Sequence, residues 1–137
     1  MLPNYLFFIL VFVYFGLSCS DNPMEKALIG KWKIQDYRVQ TNNPQFEADK
    51  MQEEIEKLKK NSYFHFYPNY EYEIHLNGNI EKGKWKINPK TQKLSTIKNN
   101  QSLEILLSID TLNVNLFVFS STKDSITTQV KLYKEKN

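Results

Sequence analysis

The stretch Gly30-Lys31-Trp32-Lys33-Ile34 occurs a second time in the chain, as Gly83-Lys84-Trp85-Lys86-Ile87. Each copy alternates apolar and charged residues, which is the two-residue period of a β-strand with one buried face. The tryptophan and the isoleucine of each copy would point inward, and the lysines would face water. A glycine in such a strand allows a sharp bend or the close approach of another backbone. We therefore interpret the two copies as two strands of one small closed sheet.

The composition favours a single β-rich domain. The chain has 137 residues, and 14% of them are aromatic, which favours β-structure. It has 18 Lys and Arg against 15 Asp and Glu, a net charge of +3 with no dominant basic block, so nothing indicates a nucleic-acid partner. The single cysteine, Cys19, cannot form a disulfide within the chain.

The first residues have the pattern of a secretion signal. The run YLFFILVFVYFGL, from Tyr5 to Leu17, has the length of a signal-peptide core and is short for a membrane span. It ends at Gly16-Leu17-Ser18-Cys19, and every charged residue comes later. This pattern resembles the signal sequence of a bacterial lipoprotein, which is cleaved before a cysteine that receives lipid such as palmitate. The alternatives are an ordinary secretory signal and a short anchor.

On this interpretation the chain has three parts. Residues 1–18 are the lipoprotein signal peptide, residues 19–27 hold the lipidated Cys19 and a tether, and residues 28–137 form the barrel domain. After the cysteine, Ser20, Asp21 and Asn22 resemble the export signal of lipoproteins in Bacteroidota-type bacteria, although a plain tether reads the same way. We expect a cell-envelope protein, held by lipid at the outer membrane on its periplasmic or outer side.

The first strand and a helix follow in order. The strand is predicted from Leu28 to Val39, and a loss of alternation predicts a bulge near Gln35-Asp36. The helix would start with Asn43 as its cap and Pro44 in its first turn. Its narrow apolar stripe suits a surface helix that covers an open end of the sheet, and consists of Ala48, Met51, Ile55 and Leu58.

The next hairpin can be registered residue by residue. A three-residue loop, Pro68-Asn69-Tyr70, sets Phe66 opposite Tyr72 and Phe64 opposite Ile74, which keeps one face apolar. The third loop residue then needs a left-handed backbone, which is a strained choice for a tyrosine.

Asn77-Gly78 is a strong two-residue hairpin turn. Carried through this turn, the register brings the second copy of the repeated stretch alongside the aromatic hairpin. Three neighbouring pairs result: Ile74 with Glu81, Tyr72 with Gly83, and Tyr70 with Trp85.

Four further strands complete the sheet, at Lys93–Lys98, Ser102–Leu107, Thr111–Phe119 and Ser125–Tyr133. The connections are short, so neighbouring strands are antiparallel, and an eight-stranded meander removes its edges by closing into a barrel. The expected fold is therefore an all-β, eight-stranded antiparallel meander barrel with one helix between strands 1 and 2. The predicted inward residues of these strands are Leu103, Ile105, Leu107, Leu116, Val118, Ile126, Thr128, Val130 and Leu132, with Phe117 and Phe119 outward.

The chain resembles the small lipocalin-like lipoproteins of Bacteroidota-type bacteria. The resemblance is carried by the Gly30-Lys31-Trp32 opening, the Phe64-x-Phe66-x-Pro68-Asn69 hairpin with Tyr72, and the returning Gly83-Lys84-Trp85. It implies a calycin-type barrel and an apolar ligand. It also implies that a basic residue of the last strand closes the barrel beneath Trp32, and the candidates are Lys131 and Lys134.

Two functions remain open from the sequence. The first is a membrane-anchored binding module that holds a small apolar ligand against barrel-lining residues, for which the candidates are Trp32, Ile34, Phe64, Phe66, Tyr72, Ile74 and Trp85. The second is a lipoprotein of the inhibitor or immunity type, with a filled barrel and an envelope protein as partner. Its contact residues would be Tyr63, His65 and Tyr67, or Phe117 and Phe119. No catalytic set or cofactor motif is evident, so we do not expect an enzyme.

Several polar groups have a structural reading that we prefer to a functional one. His65, Glu73 and His75 have the chemistry of zinc ligands, but cross-strand surface pairing explains them equally well. Glu81 would point inward near an end of the barrel, where it either orients a ligand or lies in water at the rim.

Two further patterns concern the surface. Asp36 and Arg38 are expected to form an ion pair at the rim. Asp110-Thr111-Leu112 and Asp124-Ser125-Ile126 match a three-residue O-glycosylation pattern of Bacteroidota, and both were placed at junctions between a turn and a strand.

Overall fold

The structure is a computed structural model that describes residues 22–41 and 48–136. The predicted helix cap, Asn43-Pro44, and the predicted lipid and export residues Cys19, Ser20 and Asp21 lie outside the described residues. The elements are α1 (Pro23–Leu28), β1 (Gly30–Gln40), α2 (Ala48–Asn61), β2 (Tyr63–Phe66), β3 (Glu71–Leu76), β4 (Asn79–Asn88), β5 (Lys93–Lys98), β6 (Glu104–Leu112), β7 (Leu116–Lys123) and β8 (Ile126–Lys134).

The eight strands form the closed antiparallel barrel that the sequence predicts. Each strand pairs with the next one along the chain, and β8 pairs with β1. This closing ladder runs from Trp32 opposite Lys134 to Gln40 opposite Thr127. Because every strand has two neighbours, the barrel leaves no full-length edge strand on which another chain could build.

The two ends of the barrel differ. At the closed end, α1 lies against β4 and β6, beside the loops that follow β2, β4 and β6. At the opposite end, which we call the open end, α2 connects β1 to β2 and contacts β1 and β3. Neither helix of the described residues has the length and hydropathy to cross a bilayer.

The aromatic hairpin has the predicted register. Phe66 lies opposite Tyr72 and Phe64 opposite Ile74. Tyr70 has a left-handed backbone, with φ of 66°. Its ring packs on Trp85 at a centroid distance of 5.1 Å, and its hydroxyl donates to Glu25 of α1 at 2.9 Å. These two contacts offset the backbone strain, which explains why a tyrosine occupies a position that favours glycine.

The bulge and the second hairpin are also confirmed. The β1–β8 register shifts between Ile34 and Asp36, so Tyr37 becomes the next residue to face the interior. After the Asn77-Gly78 turn, Ile74 lies opposite Glu81 and Tyr72 opposite Gly83, as predicted. The main-chain N–H of Trp85 donates to the main-chain carbonyl of Tyr70 at 2.9 Å. The third predicted pair, Tyr70 with Trp85, is therefore also adjacent.

The boundary between β6 and β7 differs from the prediction. β6 continues to Leu112, and the turn lies at residues 113–115, where the side-chain oxygen of Asn113 accepts from the N–H groups of Asn115 and Leu116 at 2.9 Å each. A second bulge lies between Ile109 and Thr111. The sequence placed Thr111 in strand 7, which was wrong because one asparagine among apolar residues makes the turn.

The orientation predicted for β7 was also wrong. Phe117 and Phe119 are buried, and they pair with the inward residues Leu132 and Val130. Leu116 and Val118 therefore face outward and are half-buried. The cause is the shifted turn, since a strand that is apolar on both faces takes its orientation from its register alone.

The predicted inner face of β6 is only partly correct. Leu103 precedes the strand and is 71% exposed, so it is not a core residue. Ile105 and Leu107 do lie on the inner face, because they pair with Thr96 and Leu94. Of the β8 residues, Val130 and Leu132 are buried as predicted, while Ile126 at the open end is 39% exposed.

An aromatic cluster fills the closed half of the barrel. Trp32 meets Phe117 edge to face at 5.8 Å, Phe66 meets Trp85 at 6.0 Å, and Phe66 meets Phe117 at 6.3 Å. Such edge-to-face pairs are favourable beyond the area they bury. Leu28, the last residue of α1, is fully buried beneath them. Because the rings interlock, the closed half has a packed interior.

Gly83, the glycine of the second repeated stretch, is required because neighbouring atoms leave no room for a side chain. A Cβ at Gly83 would lie 2.2 Å from the carbonyl oxygen of Ile97 and 2.8 Å from a ring carbon of Tyr72. Gly78 differs, since a Cβ there meets nothing, and only its φ of 83° favours glycine.

We expect Gly83→Ala to lower the free energy of unfolding by about 2 to 3 kcal/mol, because the β4–β5 ladder would have to move apart. Gly78→Ala is the matched comparison and should cost about 1 kcal/mol through its left-handed backbone. Urea unfolding followed by tryptophan fluorescence measures both. An equal or smaller loss for Gly83→Ala would contradict this account of the close approach.

Candidate functional site: the open end of the barrel

Lys134 closes the barrel beneath Trp32. Its ammonium lies 4.8 Å from the centre of the Trp32 ring and donates to the carbonyls of Ala27 at 2.7 Å and Ile29 at 2.9 Å. The Trp32 indole N–H donates to the carbonyl of Leu28 at 2.7 Å. Of the two predicted candidates the structure selects Lys134, since Lys131 lies three residues earlier on β8, opposite Asp36.

These contacts hold α1 in place as a plug. The helix has only six residues, too few to be stable alone, and its first N–H groups are capped by the Asn22 side chain, which accepts from Met24 at 3.0 Å. At its other end the Lys134 ammonium binds carbonyls that the helix leaves free, where a cation also suits the helix dipole. Burial lowers the pKa of Lys134.

We expect Lys134→Met to lower the free energy of unfolding by about 2 to 3 kcal/mol, because two part-buried carbonyls lose a charged donor while the apolar stem is kept. Lys136→Met, at an exposed position two residues later, should change it by less than about 0.5 kcal/mol. Urea unfolding at neutral pH measures both variants. The assignment fails if the two variants are equally stable.

Six of the seven predicted lining residues belong to the packed half. Trp32, Ile34, Phe64, Phe66, Tyr72 and Trp85 are at most 8% exposed and all belong to one core cluster. Ile74 is half-buried and packs against that cluster from outside it. The six are therefore core residues, and Ile74 is the one predicted lining residue that stays partly exposed.

The open half contains inward-facing apolar side chains that are not covered. Ile105 lies opposite Thr96, which lies opposite the buried Trp85, so its side chain is on the inner face; it is nevertheless 47% exposed. We call the inner surface of the open half the cup, and define it by Val39, Ile74, Glu81, Thr96, Ile105, Leu107 and Ile126.

Beside the cup, β6 and β7 are not hydrogen-bonded to each other. The ladder between β6 and β7 begins at Ser108 opposite Ser120 and runs toward the closed end. Residues 104–107 of β6 pair with β5 but with no residue of β7. The opening between the two strands explains why Ile105 is accessible while Ile109, on the same face, is buried.

A polar group lies on the inner wall between the core and the cup. The Tyr72 hydroxyl donates to a carboxylate oxygen of Glu81 at 2.7 Å. Burial, followed by the hydrogen bond to Glu81, raises the pKa of Tyr72, while the Thr96 hydroxyl acts in the opposite direction. Tyr72 therefore stays a neutral donor that fixes the Glu81 carboxylate. The inward position of Glu81 was predicted from the sequence, whereas that of Thr96 was not; Thr96 lies opposite Trp85 in the register of β4 and β5.

The outer wall of β2 and β3 shows the surface pairing that we preferred to a metal site. Tyr63 stacks on His75 and His65 on Tyr67, both at 4.0 Å, and His75 contacts Glu73. This contact lowers the pKa of Glu73, and Lys82 acts in the same direction. Within the part of the chain that the structure describes, no three acidic, histidine or cysteine side chains converge as metal ligands would.

The remaining surface predictions are resolved individually. Asp36 and Arg38 form the expected ion pair at 3.0 Å, but it lies on the outer face of β1 beside the bulge and not at the rim. Asp124 and Ser125 form the β7–β8 turn, as predicted. Asp110 instead lies inside β6, where its carboxylate accepts from Ser120 and Gln129, so this pattern does not lie at a turn.

A shallow pocket of about 580 Å³ lies on the outer wall of β4, β5 and β6. Leu106, 59% exposed, lies on one side of it, and Lys86 and Lys93 lie on the others. Glu104 contacts Ser95 and pairs with Lys86 at 3.7 Å, so the charges of this wall are largely matched.

The architecture defines a class: a closed eight-stranded antiparallel meander barrel that a short preceding helix plugs at one end. The crystal structure of a DUF4847 family protein from Bacteroides vulgatus ATCC 8482 has a similar fold, with a TM-score of 0.58 over 85% of this chain and 99% of that chain. The two sequences are 10% identical, so the likeness concerns the fold alone. No protein-family model matches the sequence, and a search of curated proteins gives no significant match.

Proposed function

We propose that the protein is a lipid-anchored, lipocalin-like barrel of the bacterial cell envelope that holds a small apolar molecule in the cup. The observation that carries this proposal is Ile105, which faces into the barrel and yet is 47% exposed. Inward isoleucines of a filled barrel are normally buried. An apolar molecule at this position would remove Ile105 from water and complete the interior.

The packed half of the barrel limits the size of such a ligand. The aromatic cluster occupies the closed half, and Leu58 of α2 packs against it beside Ile74 and Leu107, so the ligand would lie next to the helix and rest on Ile74 and Leu107. Its far end would reach residues 104–107 of β6, which are not paired with β7. A single chain or ring system suits this space better than a large polycyclic molecule.

We expect N-phenyl-1-naphthylamine, whose fluorescence rises in apolar sites, to bind with 1:1 stoichiometry. Ile105→Ser should weaken its binding about tenfold, because roughly 1.4 kcal/mol of apolar burial is lost. Leu106→Ser is the matched control: the neighbouring side chain is even more exposed but lies on the outer wall. Fluorescence titration of all three proteins measures the difference.

Two results would overturn the ligand proposal. One is the absence of saturable dye binding to the native protein. The other is an equal loss of affinity in the two serine variants, which would place the dye outside the cup.

The anchoring part of the proposal rests on the sequence and on the position of α1. Cys19 precedes Asn22 by three residues, and Asn22 caps the helix that plugs the barrel. Three residues span at most about 11 Å, so a lipid on Cys19 would hold the closed end beside a membrane. Ser20 and Asp21 would then lie between the lipid and α1, where an export receptor could reach them.

We expect the full chain, produced in a Gram-negative bacterium, to incorporate an alkyne analogue of palmitate, and Cys19→Ala to abolish the label. Ser20→Ala should keep the label, because the acceptor thiol is intact. Gel fluorescence after click coupling reads both variants. A label that persists in Cys19→Ala would refute lipidation at this residue.

A second candidate is a protein-binding lipoprotein that uses its outer wall. Leu106 and Ile97, on adjacent strands beside the shallow outer pocket, are 59% and 36% exposed. Exposed apolar side chains grouped in this way are typical of interaction surfaces. The predicted contact residues Phe117 and Phe119 are buried and cannot serve, so this wall would carry the contact.

A further inference from the structure

We propose that Glu81 is the polar contact of the cup, and that the cup prefers amphiphiles whose head group donates hydrogen bonds, such as a primary ammonium, over carboxylates. This inference rests on the proposed function, since it needs the cup to hold a ligand. It adds the chemical class of the ligand's polar end.

The position of Glu81 supports this role. It lies on β4 opposite Ile74, on the same face as Trp85, and is half-buried. One carboxylate oxygen accepts from the Tyr72 hydroxyl at 2.7 Å. Tyr72 is 2% exposed and has little freedom to move, so it holds the carboxylate in one orientation, and among the described residues the second oxygen has no hydrogen-bond partner.

Glu81 differs from the acidic residues of the outer wall. Those residues have cationic partners: Glu73 has Lys82, Glu104 has Lys86, Asp36 has Arg38 and Glu135 has Lys31. Glu81 forms no ion pair with any residue that the structure describes. Glu81 therefore presents a carboxylate on the inner wall that no ion pair with a described residue neutralises.

The surroundings of Glu81 determine which ligand it favours. Ile74 and Leu107 are apolar, and a carboxylate that an apolar ligand shields from water needs a donor or a cation in place of that water. An ammonium supplies both, a hydroxyl supplies a donor, and a ligand carboxylate adds a second negative charge. The preferred ligand therefore has an apolar chain and a donating head.

Lys98 is the competing contact nearest in the sheet, since β5 adjoins β4, whereas Lys123, opposite Ile126, is a rim lysine three strands away on β7. Lys98 lies opposite Gly83 on β5, two residues beyond Thr96, so it is at the rim on the inner side of the wall, where it is exposed. If Lys98 held the head group, a carboxylate would be preferred. That selectivity is opposite to the proposed one.

The experiment is displacement of N-phenyl-1-naphthylamine by three amphiphiles of equal chain length: dodecylammonium, dodecanol and dodecanoate, each below its micelle concentration. With native protein we expect dodecylammonium to displace the dye at a concentration at least tenfold below that of dodecanoate, with dodecanol between them. In Glu81→Gln the ratio should fall below about threefold. Glutamine still accepts from Tyr72, so the fold is kept.

Glu73→Gln is the matched control on the outer wall of the neighbouring strand, and it should retain the native ratio, as should Lys98→Met. The inference is overturned if dodecanoate displaces best, if Glu81→Gln keeps the native ratio, or if Lys98→Met changes the ratio as much as Glu81→Gln. A dye that binds with no head-group preference overturns this inference alone. No dye binding to the native protein overturns the proposed function and this inference together.

Discussion

The hydrogen bonds from Lys134 to the carbonyls of Ala27 and Ile29 hold the structure together. They join the end of the last strand to the helix that precedes the first, so the ladder that closes the barrel and the plug beneath it form at the same place. The lysine stem crosses Gly30, where a Cβ would lie 3.3 Å from it. The glycine and the tryptophan of the first repeated stretch thus have separate tasks: Gly30 makes room for the lysine, and Trp32 provides the ring beneath its charge.

The second repeated stretch uses the same residue types for a different contact. Gly83 lets the Tyr72 ring and the neighbouring strand approach, and Trp85 packs between Phe66 and Tyr70. The resemblance between the stretches therefore reflects two close approaches that each need a glycine before a buried tryptophan. Both contacts serve the closed half of the barrel. Stability is concentrated there, and the open half is left free to expose side chains that a core would cover.

Local signals in the sequence predicted most of the fold. The Asn77-Gly78 turn and the strict alternation around Phe64 and Tyr72 each allow one register, and the structure has that register. The prediction failed at Leu103, which precedes β6, and from residue 111 to residue 119, where apolar residues occupy both faces and alternation gives no orientation. There the Asn113 side chain decides the turn. The cup could not be predicted, because the exposure of Ile105 depends on where the β6–β7 ladder stops.

The placement of α1 has a consequence for the route that a ligand of the cup would take. The plug lies at the end of the barrel where the described chain begins, at Asn22, and the cup lies at the other end. A lipid on Cys19 would therefore leave the mouth of the barrel facing away from the bilayer that holds it. Molecules would enter and leave from the aqueous side or from a partner across the gap, and the anchoring membrane would not be their immediate source. The lipid would hold the barrel at a membrane. Because α1 plugs the end of the barrel that would face this membrane, ligand would enter and leave through the opposite end.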